Sequence, residues 1–88
     1  MAPDPSREKL DLPYPCRWVY KIIGHDEEAL RFAAAEIVEP REHSISLSRR
    51  SAKRNYCCLN VDVLVRDEQD RVTIYRAFRG HPAITLVL

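Results

Sequence analysis

The sequence predicts an α+β sandwich of four strands and two helices, and three observations carry that prediction. Four segments are rich in β-branched and aromatic residues or alternate apolar with polar ones. Two others repeat apolar residues at helical spacing. The six follow one another as β-α-β-β-α-β within 88 residues. That length allows one domain, and a domain so small hides only about 60–65% of the surface its unfolded chain exposes. Such a body has room for one apolar layer, which favours a surface groove, an open sheet face or a dimer interface over a deep enclosed site.

Residues 1–12 set Pro3 and Pro5 among charged side chains, a composition that cannot form a core, and are expected to be a flexible N-terminal tail. Residues 13–88 then form a single domain, entered through the extended stretch around Pro13, Tyr14 and Pro15. Residues 16–23 (CRWVYKII) read as the first strand, with Trp18, Tyr20 and Ile22 on one face and Arg17 and Lys21 on the other. Gly24 stops it. Asp26 is placed to cap a helix in whose first turn Glu27 and Glu28 favour the positive end of the backbone dipole. Leu30, Ala33, Ala34, Ile37 and Val38 make one apolar stripe along that helix, Phe32 falls on the opposite side, and Pro40 ends it.

Ile45 and Leu47 alternate with Ser44, Ser46 and Ser48, a second strand with one wet face. The basic stretch from Arg49 to Arg54 breaks the alternation and reads as a hairpin connection. From Asn55 a third strand turns Cys57, Leu59, Val61, Val63 and Val65 inward and Tyr56, Cys58, Asn60, Asp62 and Leu64 outward. Asp67 to Asp70 opens a second helix, with Arg71, Ile74, Tyr75 and Phe78 inward, and Gly80 and Pro82 punctuate its end. Residues 83–88 alternate again, placing Ile84, Leu86 and Leu88 on one face. Right-handed crossovers put the first and third strands at the centre of an antiparallel sheet with both helices on one face, which is the ferredoxin-like βαββαβ sandwich.

Fourteen basic and thirteen acidic side chains give a net charge of +1, which argues against a dedicated nucleic-acid binder, since phosphate neutralisation supplies most of such affinity. Three cysteines, two of them adjacent, fit a reducing compartment better than a disulfide framework. With no signal-like apolar stretch at the N-terminus and no run long enough to span a bilayer, the chain is expected to be cytoplasmic, without a membrane partner.

The fold hosts many functions, so a site has to be argued from residues. Metal carriers of this shape need Cys-x-x-Cys after the first strand; here that loop is Gly24, His25 and Asp26, and Cys57 and Cys58 diverge to opposite faces as one core and one surface thiol. Acylphosphatases need a glycine-rich, arginine-bearing phosphate loop in the same place, which is absent. RNA-recognition domains stack bases on outward aromatics of the central strands, where this chain offers one tyrosine beside Asp62. His25, His43 and His81 have no metal-ligand spacing to one another. No catalytic set, metal site or cofactor is therefore expected. His25 and Asp26 also have plain roles open to them, as a turn residue and a helix cap.

The segments Tyr20–Gly24 (YKIIG), Lys53–Tyr56 (KRNY), Ile74–Tyr75 (IY) and Ile84–Leu88 (ITLVL), in order and at fitting spacing, resemble the YbeD-like family. These are small bacterial proteins with a domain of unknown function, sometimes labelled lipoate regulatory. The resemblance implies a ferredoxin-like fold similar to the ACT regulatory domains and carries no established activity. Arg54 stands where the family usually has glycine, and Cys57 and Cys58 replace more typical polar residues.

The expected function is that of a non-catalytic regulatory or binding module, not an enzyme. Similarity to ACT domains suggests edge-to-edge or face-to-face pairing, as a homodimer or with another protein, and with a small metabolite as a further ligand. Gly24, His25 and Asp26 in the first loop and Tyr56, Asn60 and Asp62 on the outward face are the candidate ligand residues. The alternative is an anion or nucleic-acid contact through Arg49, Arg50, Lys53 and Arg54, for which the plain reading is a solvated turn.

Overall fold

The computed structural model describes residues 13–51 and 55–88. Its elements are β1 (Cys16–Gly24), α1 (Glu27–Val38), β2 (His43–Ser51), β3 (Tyr56–Val65), α2 (Glu68–Gly80) and β4 (Leu86–Val87). They form one antiparallel sheet in the order β2-β3-β1-β4, with both helices packed on one face. This is the ferredoxin-like sandwich expected from the order of elements. The expected tail and the residues Lys53 and Arg54 lie outside the described residues.

The helices begin where their capping chemistry sits. The Asp26 carboxylate accepts from the backbone N–H groups of Glu28 and Ala29 at 3.0 and 3.2 Å. Asp67 accepts from Asp70 N–H at 2.7 Å, while the Asp70 carboxylate reaches back to Arg66 N–H at 3.1 Å. The core is the single layer between helices and sheet. Tyr20 and Ile22 of β1 and Leu59, Val61, Val63 and Val65 of β3 meet Leu30, Ala33, Ala34 and Val38 of α1 and Ile74 and Phe78 of α2. Tyr20 meets Phe78 edge to face, with ring centroids 5.2 Å apart.

Four local expectations are corrected. β2 runs on through Arg49 and Arg50 to Ser51, so the hairpin is shorter than its basic composition suggests. A bulge at Ser48 makes this possible: Leu47 lies opposite Leu59 but Arg49 opposite Cys58, which keeps the ladder going after the alternation has broken. β4 is shorter than expected, and Ile84 does not share a face with Leu86 and Leu88. A turn in which Ile84 N–H donates to His81 C=O at 3.1 Å tucks Ile84 into the core before the strand starts. Val87 then falls opposite Ile22 and packs inward, leaving Leu86 and Leu88 exposed. Tyr75 is 38% exposed rather than inward, and Asp70 takes the buried place on that helix. Cys58 points to the outward face but is covered to 8% exposure by its strand neighbours, so it is not a surface thiol.

Candidate functional site

The sheet face away from the helices is uncovered among the described residues, and strand register decides what it displays. Val19 lies opposite Asp62, Lys21 opposite Asn60 and Ile23 opposite Cys58; across the other flank of β1, Ile23 lies opposite Leu86. Its charged and polar side chains are largely satisfied by one another. Arg17 donates to Asp62 and to Glu42, both at 2.7 Å, and Lys21 donates to Asn60 at 3.0 Å and Ser48 at 3.3 Å. The candidate residues Asn60 and Asp62 therefore share one face, and each is held by a β1 cation. Beside these pairs Val19 and Leu86 are each about half exposed; Leu86 lies opposite Ile23, and the paired Lys21 stands between Val19 and Ile23 along β1. The face thus presents apolar side chains on β1 and β4 set among neutralised charge.

His25 and Tyr56, the other two candidates with free side-chain chemistry, meet at the end of the sheet. Together with Glu27, Arg50, Ser51, Asn55 and Cys57 they line a cleft of about 310 Å³. His25 Nδ1 is 3.2 Å from the Asn55 carbonyl oxygen, an arrangement in which a protonated Nδ1 donates. Asn55 sits at φ 51°, a left-handed turn conformation that asparagine tolerates well. Arg50 reaches this cleft because the bulge at Ser48 carries it to the helix side, opposite Cys57, where it pairs with Glu27. Arg31 pairs with the same carboxylate at 3.0 Å. The hydrogen bonds from Arg50 and then Arg31 hold the Glu27 carboxyl below its ordinary range, while burial pushes the Cys57 thiol up.

Asp26 is occupied as the helix cap. At Gly24 the space that a Cβ needs is filled from within: that atom would lie 2.6 Å from the Ala83 carbonyl oxygen and 2.9 Å from a Leu30 methyl. The close backbone approach expected at Gly24 is made by the chain itself. Of the basic hairpin, Arg49 projects on the open face beside Cys58 and Arg50 is engaged by Glu27. Arg49 and Arg50 thus diverge to opposite faces and do not form a joint patch.

Two clusters were not legible in the sequence. Asp70, with its side chain 3% exposed, receives Arg41 through Nε at 3.1 and 3.2 Å and Nη2 at 2.5 Å, tying the β2 entry to α2. On the other flank Arg71 lies over the Trp18 ring at 4.7 Å and donates to the Tyr14 hydroxyl at 3.1 Å, while its carbonyl accepts from the Tyr20 hydroxyl at 2.6 Å. Burial pushes the Tyr20 phenol far above its ordinary range. The inward placing of Arg71 was readable from helical period; the 29-residue separation of Arg41 and Asp70 left no local signal.

Among the described residues no helix is long and apolar enough to cross a membrane, and no cluster of three or more His, Cys, Asp or Glu side chains is placed to hold a metal ion. Fold and face together define the class: a small ferredoxin-like domain with one sheet face uncovered among the described residues. The chain belongs to the family described as protein of unknown function DUF493, which matches residues 10–88, in agreement with the YbeD-like resemblance. Similar bacterial proteins include the UPF0250 protein of Paraburkholderia phytofirmans, 29% identical over 79 residues, covering 85% of this chain and 89% of the relative. The UPF0250 protein of Neisseria gonorrhoeae is also 29% identical, over 82 residues, covering 88% and 89%. In three dimensions the chain is similar to protein HP0495 from H. pylori, with a TM-score of 0.82 at 21% identity over 100% of this chain and 96% of the other, a likeness that shows the fold.

Proposed function

We propose that this chain is a non-catalytic, cytoplasmic binding module that docks a protein partner on its open sheet face. The observation that carries the reading is the division of labour on that face. Arg17 and Lys21 are committed to Asp62, Glu42, Asn60 and Ser48, which leaves Val19, Ile23 and Leu86 as the surface still able to gain from contact. Burying such side chains contributes about 25 cal/mol per Å² of apolar area, and the ion pairs at its border add orientation more than affinity. A charged metabolite would have to displace pairs already formed. A face whose charges are already paired and whose apolar side chains remain exposed asks less of a protein.

The test is the size of the native complex. Tagged chain in an extract of its own cells should elute well above the mass of a single chain. Leu86→Lys should return it to the single-chain mass, whereas Arg76→Glu on the exposed side of α2 should not. Elution at single-chain mass from the start, or indifference to Leu86→Lys, contradicts the reading. A second reading, a small metabolite in the end cleft, is favoured by one specific observation: His25 and Tyr56, singled out from separate segments, line the same cavity. Under that reading His25→Ala and Tyr56→Ala abolish ligand-induced stabilisation of the purified protein, and Leu86→Lys leaves it intact.

A further inference from the structure

We infer that a cleft on α1, on the side of the domain away from the open sheet face, docks an extended basic segment of another protein through one aliphatic side chain. Phe32 is 73% exposed, more than any other large apolar side chain among the described residues. One apolar side chain alone on a surface is ordinary. Phe32 is not alone, because it borders a cleft of about 480 Å³ lined by Ala29 and Ala33 of α1 and by Ala83 of the turn before β4. Three alanines leave space that larger side chains at those positions would fill. His81 also lines the cleft, and its ring is held in place. Its Nδ1 accepts from Ala83 N–H at 3.1 Å, and its Nε2 lies 3.6 Å from Glu36.

Charge and spacing at the rim define the occupant. Asp26 and Glu28 line the cleft, and Glu36 stands beside it through its contact with His81. No lysine or arginine lines it among the described residues. Arg31, about 100° round the helix from Phe32, is taken by Glu27. In a chain of net charge +1, three carboxylates without a lysine or arginine make a local negative field that attracts cations. The spacing is more specific. Glu28, Phe32 and Glu36 follow at i, i+4 and i+8 along α1, so two carboxylates flank the ring about 12 Å apart. In an extended chain the side chains at i, i+2 and i+4 share a face, with the outer two about 13 Å apart. A segment of pattern basic-x-aliphatic-x-basic therefore lays its central side chain between Phe32 and the alanines while each cation meets one glutamate. In this chain that pattern occurs once, at Arg17–Lys21, inside β1 with both cations already engaged. The segment that fits thus belongs to a different protein.

This docking does not depend on the open-face reading, and the two fail separately. The purified, isotope-labelled full chain is titrated with the acetylated and amidated peptide Lys-Ser-Leu-Ser-Lys, and its backbone amides are followed by NMR. The expected result is a saturable set of shifts centred on Glu28, Ala29, Phe32, Ala33 and Ala83, weakening with added salt. Lys-Ser-Ser-Ser-Lys, which lacks the anchor, and Glu-Ser-Leu-Ser-Glu, which reverses the charges, should each bind about tenfold more weakly or worse. Phe32→Ser should cost a similar factor, and Leu86→Lys should cost nothing. Serine and phenylalanine have nearly equal helix propensity, so Phe32→Ser should also leave the urea midpoint unchanged. A fall in that midpoint as large as a core substitution gives would assign the ring to folding and overturn the inference. Three other results overturn it as well: no saturable shift, shifts gathered at Val19, Ile23 and Leu86 instead, or equal binding of the three peptides. Cleft amides that move with protein concentration before any peptide is added also overturn it, since they give the cleft to a second copy.

Discussion

Asp70 shows how a single side chain can hold two elements together. It closes the cap of α2 and receives Arg41 from the entry to β2, and the hydrogen bonds from Arg41, then from Arg66 N–H, hold its carboxyl below the ordinary range against the opposing effect of burial. Because the folded value is depressed, the unfolded chain takes up the proton first on acidification. The stabilisation is complete above the ordinary carboxylate pKa of about 4 and is lost as pH falls through the folded value. The urea midpoint should therefore drop on the acid side, and Asp70→Asn should flatten that drop while costing about 1.5–3 kcal/mol at neutral pH. Gly24→Ala belongs to the same scale. A methyl group placed against the Ala83 carbonyl and Leu30 has to displace backbone, and denaturation should show a loss of about 1–3 kcal/mol. The need for glycine there could be read from the sequence only as the end of a strand; the backbone carbonyl that requires it, that of Ala83, comes from the segment before β4.

The secondary-structure elements were the most legible level, since their signals are local. The alternation in β3, the apolar stripe of α1 and the carboxylate caps of both helices each rest on residues within a few positions of one another, and the sheet order follows from crossover handedness. What escaped were places where a neighbour overrides the local pattern. The serine and arginine run of β2 reads as a turn because its period breaks at Ser48, yet pairing with β3 carries it on through a bulge. The closing strand reads as one alternating run because the turn from His81 to Ile84 has no glycine to mark it. The bulge has a measurable consequence. Deleting Ser48 should regularise the ladder with Arg49 still opposite Cys58 and Arg50 still opposite Cys57, so that Glu27 keeps its Arg50 partner and its depressed titration. Arg50→Ala should instead let the Glu27 carboxyl titrate closer to its ordinary value, read by NMR across the acid range, without disturbing the strand register.

At the scale of the molecule, the helices cover one side of a four-stranded sheet, and among the described residues the other side exposes the apolar group of Val19, Ile23 and Leu86. The candidate residues separate along the same geometry. Asn60 and Asp62 belong to the face, His25 and Tyr56 to the end cleft, and Gly24 and Asp26 to the folding of the loop between them. Strand parity made the first grouping readable in advance. The apolar group was not readable as a whole, because the alternating pattern set Leu86 on the same face as Ile84, which the structure buries. The central claim is that the uncovered sheet is where a partner sits, and site-specific photo-crosslinking inside the cell tests it most directly. A crosslinker at Leu86 should give an adduct of discrete mass that disappears with Val19→Lys, while the same group at Arg76 gives none. Adducts from Arg76 alone, or a Leu86 adduct untouched by Val19→Lys, would contradict the claim.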